Sequence, residues 1–320
     1  MLNMPDQTAR RTRYCRGGLR RTLWTLALIA IAPIAASAPT AQKSFPSPEA
    51  GISALVEAVQ LNDQSALRAI LGPRSSKLIS SGDAVADKRN RDAFVKAYDE
   101  ANEIILDEPE HATLVIGKDR WPLPIPLVKS TDDNWRFDTR TGEAEILARR
   151  IGRNELAAIQ VCLAIVDAER EYAARNPDGD GARKYAPRLV STPARHDGLY
   201  WPTKAGEQPS PLGPLLAAAA KDGYASADFG PLAPYHGYFY RIVTRQGSNA
   251  PGGAYDYRIN RKMRGGFAVI AYPARYGASG VMTFAVNHDG VVHEKNLGNN
   301  TASIASRMAA FDPDASWTRP

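Results

Sequence analysis

The sequence predicts an α+β protein of two units, each a set of helices followed by a mostly antiparallel sheet, with a long helix and a four-stranded sheet in the second. Three observations carry this. Apolar residues recur at helical spacing in two separate stretches, residues 47–103 and 154–175, and each stretch gives way to short β-rich segments broken by turn residues. Helices in a run followed by strands in a run favour an antiparallel sheet covered by helices. His288-Asp289-Gly290, between two β-rich segments, is a tight hairpin turn, because Asp-Gly supplies the positive φ angles such turns need. The predicted division is a signal segment at 1–41, a first unit at 42–150 and a second at 151–320.

The signal segment rests on three successive features. Six arginines from Arg10 to Arg21 precede the apolar run Leu23 to Ile34, and Ala35-Ala36-Ser37-Ala38 follows. The apolar run has twelve residues, whereas a spanning helix needs roughly 20, so cleavage is expected in place of anchoring and no transmembrane segment remains in the mature chain. Pro39 hinders a cut just before it, which spreads the expected site from Ser37 to Ala41. Arg20-Arg21 also permits a twin-arginine signal as the alternative to the general secretory one. Localisation is thus expected to be periplasmic or secreted.

Export changes the charge argument. The whole chain carries +6, and residues 1–41 hold six Arg against Asp6, a net +5, leaving +1 on the mature chain. That balance gives no support for a nucleic-acid partner. Cys15 leaves with the signal, so Cys162 remains alone and no internal disulfide is available. Among Ile159, Leu163 and Val166 it reads as a buried, inert thiol.

Within the first unit, Ser47-Pro48-Glu49 is an N-cap signal opening a helix with Ile52, Leu55, Val56 and Val59 on one face. Asn62-Asp63 caps a second helix that Gly72-Pro73 stops, and a third is predicted from Ala84 to Glu103. Strands are predicted at Ile104–Asp107, Ala112–Gly117, Pro124–Lys129 and Trp135–Asp138.

In the second unit a helix is predicted from Asn154 to Arg175, with Leu156, Ile159, Leu163, Val166 and Ala173 as its stripe. A Pro- and Gly-rich region follows, with one helical piece at Leu212–Lys221. Strands are predicted at Gly237–Arg245, Gly266–Tyr272, Val281–Asn287 and Val291–Lys295, and a closing helix at Thr301–Ala310. The loop Gln246–Gly265 is long and rich in Gly, Arg and Tyr.

Candidate chemistry is sparse. Asn176, Asp178 and Asp180 occupy alternate positions before Gly181, a spacing that converges oxygen ligands on calcium. The twelfth position of such a loop needs a bidentate acid and holds Pro187, so an EF-hand is excluded. A partial calcium site and a turn that merely ends the helix both remain open; no other cofactor is expected. His288 and His293 are five apart on a predicted hairpin and make a poor metal pair, while His111, His196 and His236 carry no ligand spacing. No nucleophile elbow, Ser-x-x-Lys, zinc-helix motif or phosphate loop is present. Tyr200-Trp201 and the alternating Tyr238 and Tyr240 form a candidate ligand surface for glycan or peptide, the alternative being core packing.

Several phrases are more particular. "LGPRSSKLISSGDAVADKRNRDAFVKAYDE", "GKDRWPLPIPLVK", "WRFDTRTGEAEILARRIGRNELAAIQVC" and "DGLYWP" resemble an exported Gram-negative family designated domain of unknown function 2950, from about Phe45 to Leu297. The resemblance implies a secreted or periplasmic protein of unassigned activity, with no catalytic residues to carry over. The second half, from "EREYAARNPDGDGARKYAPRL" through "FAVIAYPARYGASGVMTFAVNHDGVV", is similar to type IV pilin-like head domains, whose loops can hold calcium. Where pilins carry a hydrophobic helix half, this chain has Trp135 to Asn154. The first half resembles the cone-shaped sheet of nuclear-transport-factor-like domains, an analogy of fold that does not transmit function.

Two functions are consistent with these features. One is a non-catalytic binding or assembly protein of the cell envelope, with an envelope protein or glycan as partner. The other is an envelope hydrolase acting on cell-wall or ester substrates. A concave pocket with a strongly shifted acid or histidine favours the enzyme, and an exposed apolar or aromatic patch favours the partner role.

Overall fold

The computed structural model describes residues 41–320 apart from 177–180, 226–228 and 231–232, so the predicted signal up to residue 40 lies outside the described residues. The α+β class is observed, with antiparallel sheets and helices packed on them.

Helix α1 spans Pro48–Gln60, opened by Ser47, whose Oγ accepts from the Ala50 amide at 3.3 Å. Helix α2 spans Gln64–Leu71; the Asp63 carboxylate accepts from the Ser65 and Ala66 amides, both at 2.9 Å. These caps satisfy amides that have no partner inside the helix. A one-turn helix the sequence did not announce, α3, covers Ser76–Ile79. Helix α4 covers Ala84–Glu100, shorter than the expected Ala84–Glu103, because Asn102 and Glu103 pair with the neighbouring strand.

The first sheet holds β1 (Asn102–Glu108), β2 (His111–Ile116), β3 (Trp121–Pro122), β4 (Leu127–Lys129) and β5 (Trp135–Phe137). Its order is β1-β2-β4-β5, with β3 also on β2, and every pairing is antiparallel. β4 begins at Leu127 and not at the expected Pro124, since Pro124 and Pro126 have no N–H to give to a ladder. Phe45 closes the far edge, exchanging backbone bonds with Trp135 at 2.8 and 2.7 Å.

Helix α5 runs unbroken over Thr139–Arg175, far ahead of the expected start at Asn154. Gly142 and Gly152 disguise its first part as a breaker-rich stretch. Gly142 is required by close approach: a Cβ there would lie 2.3 Å from the Pro124 carbonyl oxygen. The helix therefore crosses residue 150, where the division between units was expected, and residues Pro39–Pro320 form one compact unit.

Beyond α5 come α6 (Gly213–Lys221) and β6 (Tyr238–Val243). The loop expected at Gln246–Gly265 is built, not irregular. It contains β7 (Arg245–Gln246) paired with β8 (Tyr255–Asp256), and β9 (Arg258–Ile259) paired with β10 (Lys262–Met263). The Gln246 amide pins it by donating to the Pro251 and Gly253 carbonyls at 2.6 and 2.8 Å and accepting from the Tyr257 hydroxyl at 2.9 Å.

Strands β11 (Ala268–Pro273), β12 (Met282–Asn287) and β13 (Val292–Asn296) complete the second sheet, an antiparallel meander in the order β13-β12-β11-β6. β11 is buried along its whole length, between α5 and the closing helix α7 (Thr301–Ala305). α7 stops well short of the expected Ala310. Phe311, 1% exposed, is drawn into the core, and its amide donates to the Arg245 carbonyl at 3.0 Å.

Two apolar cores result. One lies between α1, α2 and the first sheet and includes Ile52, Leu55, Leu67, Ile116, Ile125 and Phe137. The other lies between the second sheet and α5, whose Ala158, Val161, Cys162, Ile165 and Tyr172 face it. Polar fastenings tie the halves: the buried Asp83 carboxylate accepts from the Tyr224 hydroxyl at 2.9 Å and the Gly237 amide at 2.8 Å, and Glu155 accepts from the Val281 and Met282 amides at 2.8 and 3.0 Å.

Candidate functional site

The first core does not close completely. Between α1, α2, α4, the first sheet and the leading turns of α5 lies a cavity of about 720 Å³, inside the range of about 300–1,000 Å³ typical of small-molecule sites. Its depth is aliphatic: Leu55, Leu67, Leu71, Ile79, Ile116 and Ile125 are all buried. Phe94, Ala97, Trp121 and Ile146 are half-buried and form its walls.

The rim is charged and predominantly basic. Arg91, Lys118, Arg149, Arg150 and Arg153 line it against Asp87, Glu100 and Asp119. Arg149 pairs with Glu145 and lies 6.0 Å from the Trp121 ring centre, a cation–π contact. Asp87 is buried and spends an oxygen on the Ser81 amide at 2.9 Å.

What holds the guanidiniums is unusual in composition. Five consecutive carbonyls, from Ser76 to Ser80, each accept from an arginine. Arg150 donates to Lys77 and Leu78, both at 2.7 Å. Arg91 donates to Ile79 at 3.3 Å. Arg275, on the loop after β11, donates to Ser76 and Ser80 at 3.0 and 2.9 Å. Apart from that of Ser76, which also accepts from the Ser80 amide at 3.2 Å, these are carbonyls that the end of a helix leaves without intrahelical partners, and cations there also suit the helix dipole. Burial pulls the Arg150 pKa down from its ordinary value; Asp87 opposes that, and the neighbouring Arg153 and Arg91 add to it.

The residues singled out from sequence fall elsewhere. Asn176 caps α5 in the left-handed conformation, φ 45° and ψ 63°, the geometry that ends a helix. Asp178 and Asp180 lie outside the described residues. Among the described residues no three His, Cys, Asp or Glu side chains gather as a metal site.

The aromatic set divides. Tyr238 and Tyr240 are 0% exposed, which corrects their placement on a ligand surface: they do share a face of β6, but it is the face turned to α5 and the core. Tyr200 and Trp201 are half-buried, and Trp201 stacks on His196 with ring centres 4.3 Å apart. Cys162 is fully buried and its thiol is pushed up to about 12, beyond the range where a thiolate forms at neutral pH. His288 packs edge-on against Tyr257 at 5.7 Å, and His293 against Phe311 at 5.7 Å.

The arginine rim was missed from sequence, although a signal was present. Arg149 and Arg153 are four apart and Arg150 and Arg153 three apart, spacing that places them on neighbouring parts of a helix surface. Starting the helix at Asn154 removed them from any face.

Fold and site together describe an α+β protein with an aliphatic cavity under a guanidinium rim. The chain belongs to the family described as protein of unknown function (DUF2950), whose model matches residues 42–319. No curated protein and no solved structure matches it. No helix among the described residues is long and apolar enough to cross a membrane.

Proposed function

We propose that this is an exported protein of the cell envelope with a non-catalytic binding role, exercised through the cavity of its first half. The observation that carries the reading is the lining: aliphatic depth, aromatic walls and an arginine rim. Guanidinium stays protonated at any accessible pH and accepts no proton, so these groups attract and orient ligands but do not serve as general bases. Support for export comes from the basic, apolar and small-residue succession in residues 1–41. The pilin-head likeness of the second half is proposed on the same footing, supported by a long helix followed by a four-stranded antiparallel meander.

The test uses protein recovered from a periplasmic fraction. Its first residue is expected to lie beyond Ala36, within or just after Ser37–Ala41. Titrated with the neutral dye N-phenyl-1-naphthylamine, it should show saturable fluorescence, lost in Ala97→Phe, which fills the cavity, while circular dichroism stays unchanged. An N-terminus at Met1 defeats the export reading. Absent fluorescence, undiminished fluorescence in Ala97→Phe, or turnover of ester substrates by the pure protein defeats the binding reading.

A further inference from the structure

We propose that the cavity takes a single-chain amphiphile with one anionic head group, the head held by Arg91 and Arg153 and the chain lying along Leu55, Leu67, Ile116 and Ile125. The proposal rests on the binding reading above and names its ligand class.

The lining holds five basic side chains and three acidic ones. Arg149 is answered by Glu145, Asp87 acts on Arg150 as its opposite charge, and Glu100 lies 4.0 Å from Lys96 outside the cavity, which leaves Arg91, Arg153 and Lys118 against Asp119. Arg91, Arg150 and Arg153 are near enough for Arg91 and Arg153 to act on Arg150 as like charges. Assembling like charges, Arg91 and Arg150 half-buried and Arg153 exposed beside them, is unfavourable unless something of opposite sign answers them.

Arg150 and Arg91 are fixed by carbonyl oxygens, which orient a guanidinium but carry no net charge to cancel it. A structural ion pair would have fixed and neutralised them at once. Here the direction is set by groups that leave the charge of Arg91 in place, while Asp87 acts on Arg150 as its opposite charge. Arg91 Nε is moreover buried without a hydrogen-bond partner among the described residues, an orphaned donor of the kind that costs free energy unless a ligand supplies the acceptor. The guanidinium fork matches carboxylate and phosphate oxygens alike.

Below the rim the lining is dominated by Leu and Ile with Phe94 and Trp121 as walls, and Asp87, the buried polar side chain that borders it, is held by the Ser81 amide. An apolar chain gains from every methylene buried there. Charge at one end and aliphatic surface at the other define an amphiphile.

The experiment titrates the mature protein calorimetrically, below micellar concentrations, with decanoate, decyl phosphate and decanol. Either anion should bind about tenfold or more tightly than the alcohol at low salt, with the gap narrowing as salt rises. Whichever anion is tighter identifies the head group. Arg153→Gln and Arg91→Gln should bring both anions down toward decanol and leave decanol unchanged. Arg91 also fastens α3, so Arg153→Gln, at an exposed position, supplies the result should Arg91→Gln fail to fold. Equal binding of alcohol and anions by the wild type overturns the head-group assignment while leaving the cavity a binding site. Anion binding undiminished in a folded Arg153→Gln overturns it too. Binding of none of the three overturns this proposal together with the reading beneath it.

Discussion

Glu169 is a carboxyl placed where its charge has no answer. It is 0% exposed on α5, one oxygen accepting from the Ala186 amide at 2.7 Å and the other without a partner among the described residues. Burial raises its pKa well above the ordinary 4.5. The sign follows directly. The folded protein holds this proton more firmly than the unfolded chain, so the stabilising contribution is complete below the ordinary glutamate range and is lost as pH rises through the raised value. Each unit of upward displacement corresponds to about 1.4 kcal/mol. Glu169→Gln keeps an acceptor for Ala186 and cannot ionise. Its melting temperature should therefore decline less than that of the wild type between about pH 5 and about pH 8; parallel profiles would show that folding does not raise the Glu169 pKa. At this scale much was legible: Ser47 and Asp63 announce their caps because capping chemistry is local, and Cys162 announces its burial because its neighbours are apolar. The faces of Tyr238 and Tyr240 were not, because alternation says that two residues share a side of a strand and not which side meets the core.

Among the elements, α5 shows where local reading stops. Its later turns are helical as expected, but the stripe is displaced: Val166 and Ala173 are buried, Ile159 and Leu163 only half-buried, and Leu156 is 68% exposed, while Ala158, Val161, Cys162, Ile165 and Tyr172 face the second core. Its first turns pack instead on Pro124 and the cavity, with charged residues between the contacts, so no stripe marks them. Gly142 looks like a breaker and serves as a contact. Gly142→Ala should lower stability by about 1–3 kcal/mol, the cost of overpacking a site whose obstacle is backbone. A urea titration checks it; an unchanged midpoint would mean that the loop at Pro124 yields freely. The short α3 was invisible for a different reason. One turn has no period to detect, and what secures it is supplied by arginines distant in sequence. The cavity was hidden with it, since its rim is made by α4 and the unrecognised start of α5.

Taken whole, the molecule is two cores strung on one helix. Ile146 packs on the first core, and residues from Ala158 to Tyr172 belong to the second. A division near residue 150 remains a proposal about how the chain is organised, and it makes a sharp expectation when cut. Fragments 42–150 and 151–320 should each lack native near-ultraviolet dichroism, because each end of α5 is severed from the turns that prolong it and Asp83 is parted from Tyr224 and Gly237. A fragment that melts cooperatively alone would show instead that the halves are independent. The α+β class was legible at this scale because runs of helix and strand follow one another in sequence. The shared helix was not, because nothing in a local pattern says that one element serves two cores.

The grip on α3 also has an order in time. Arg275 stands 199 residues beyond Ser76, to whose carbonyl it donates, so a chain that emerges from its N-terminus presents the turn long before this partner exists. Arg91 and Arg150 arrive sooner and set the first part of the hold; the last fastening waits until β6 and β11, the first two strands of the second sheet, have emerged. Contacts of such separation form late, since a long loop must be closed to make them. The turn that contributes Leu78 and Ile79 to the cavity is thus completed from the second half of the chain, and a chain arrested before Arg275 leaves that turn without its bonds at Ser76 and Ser80.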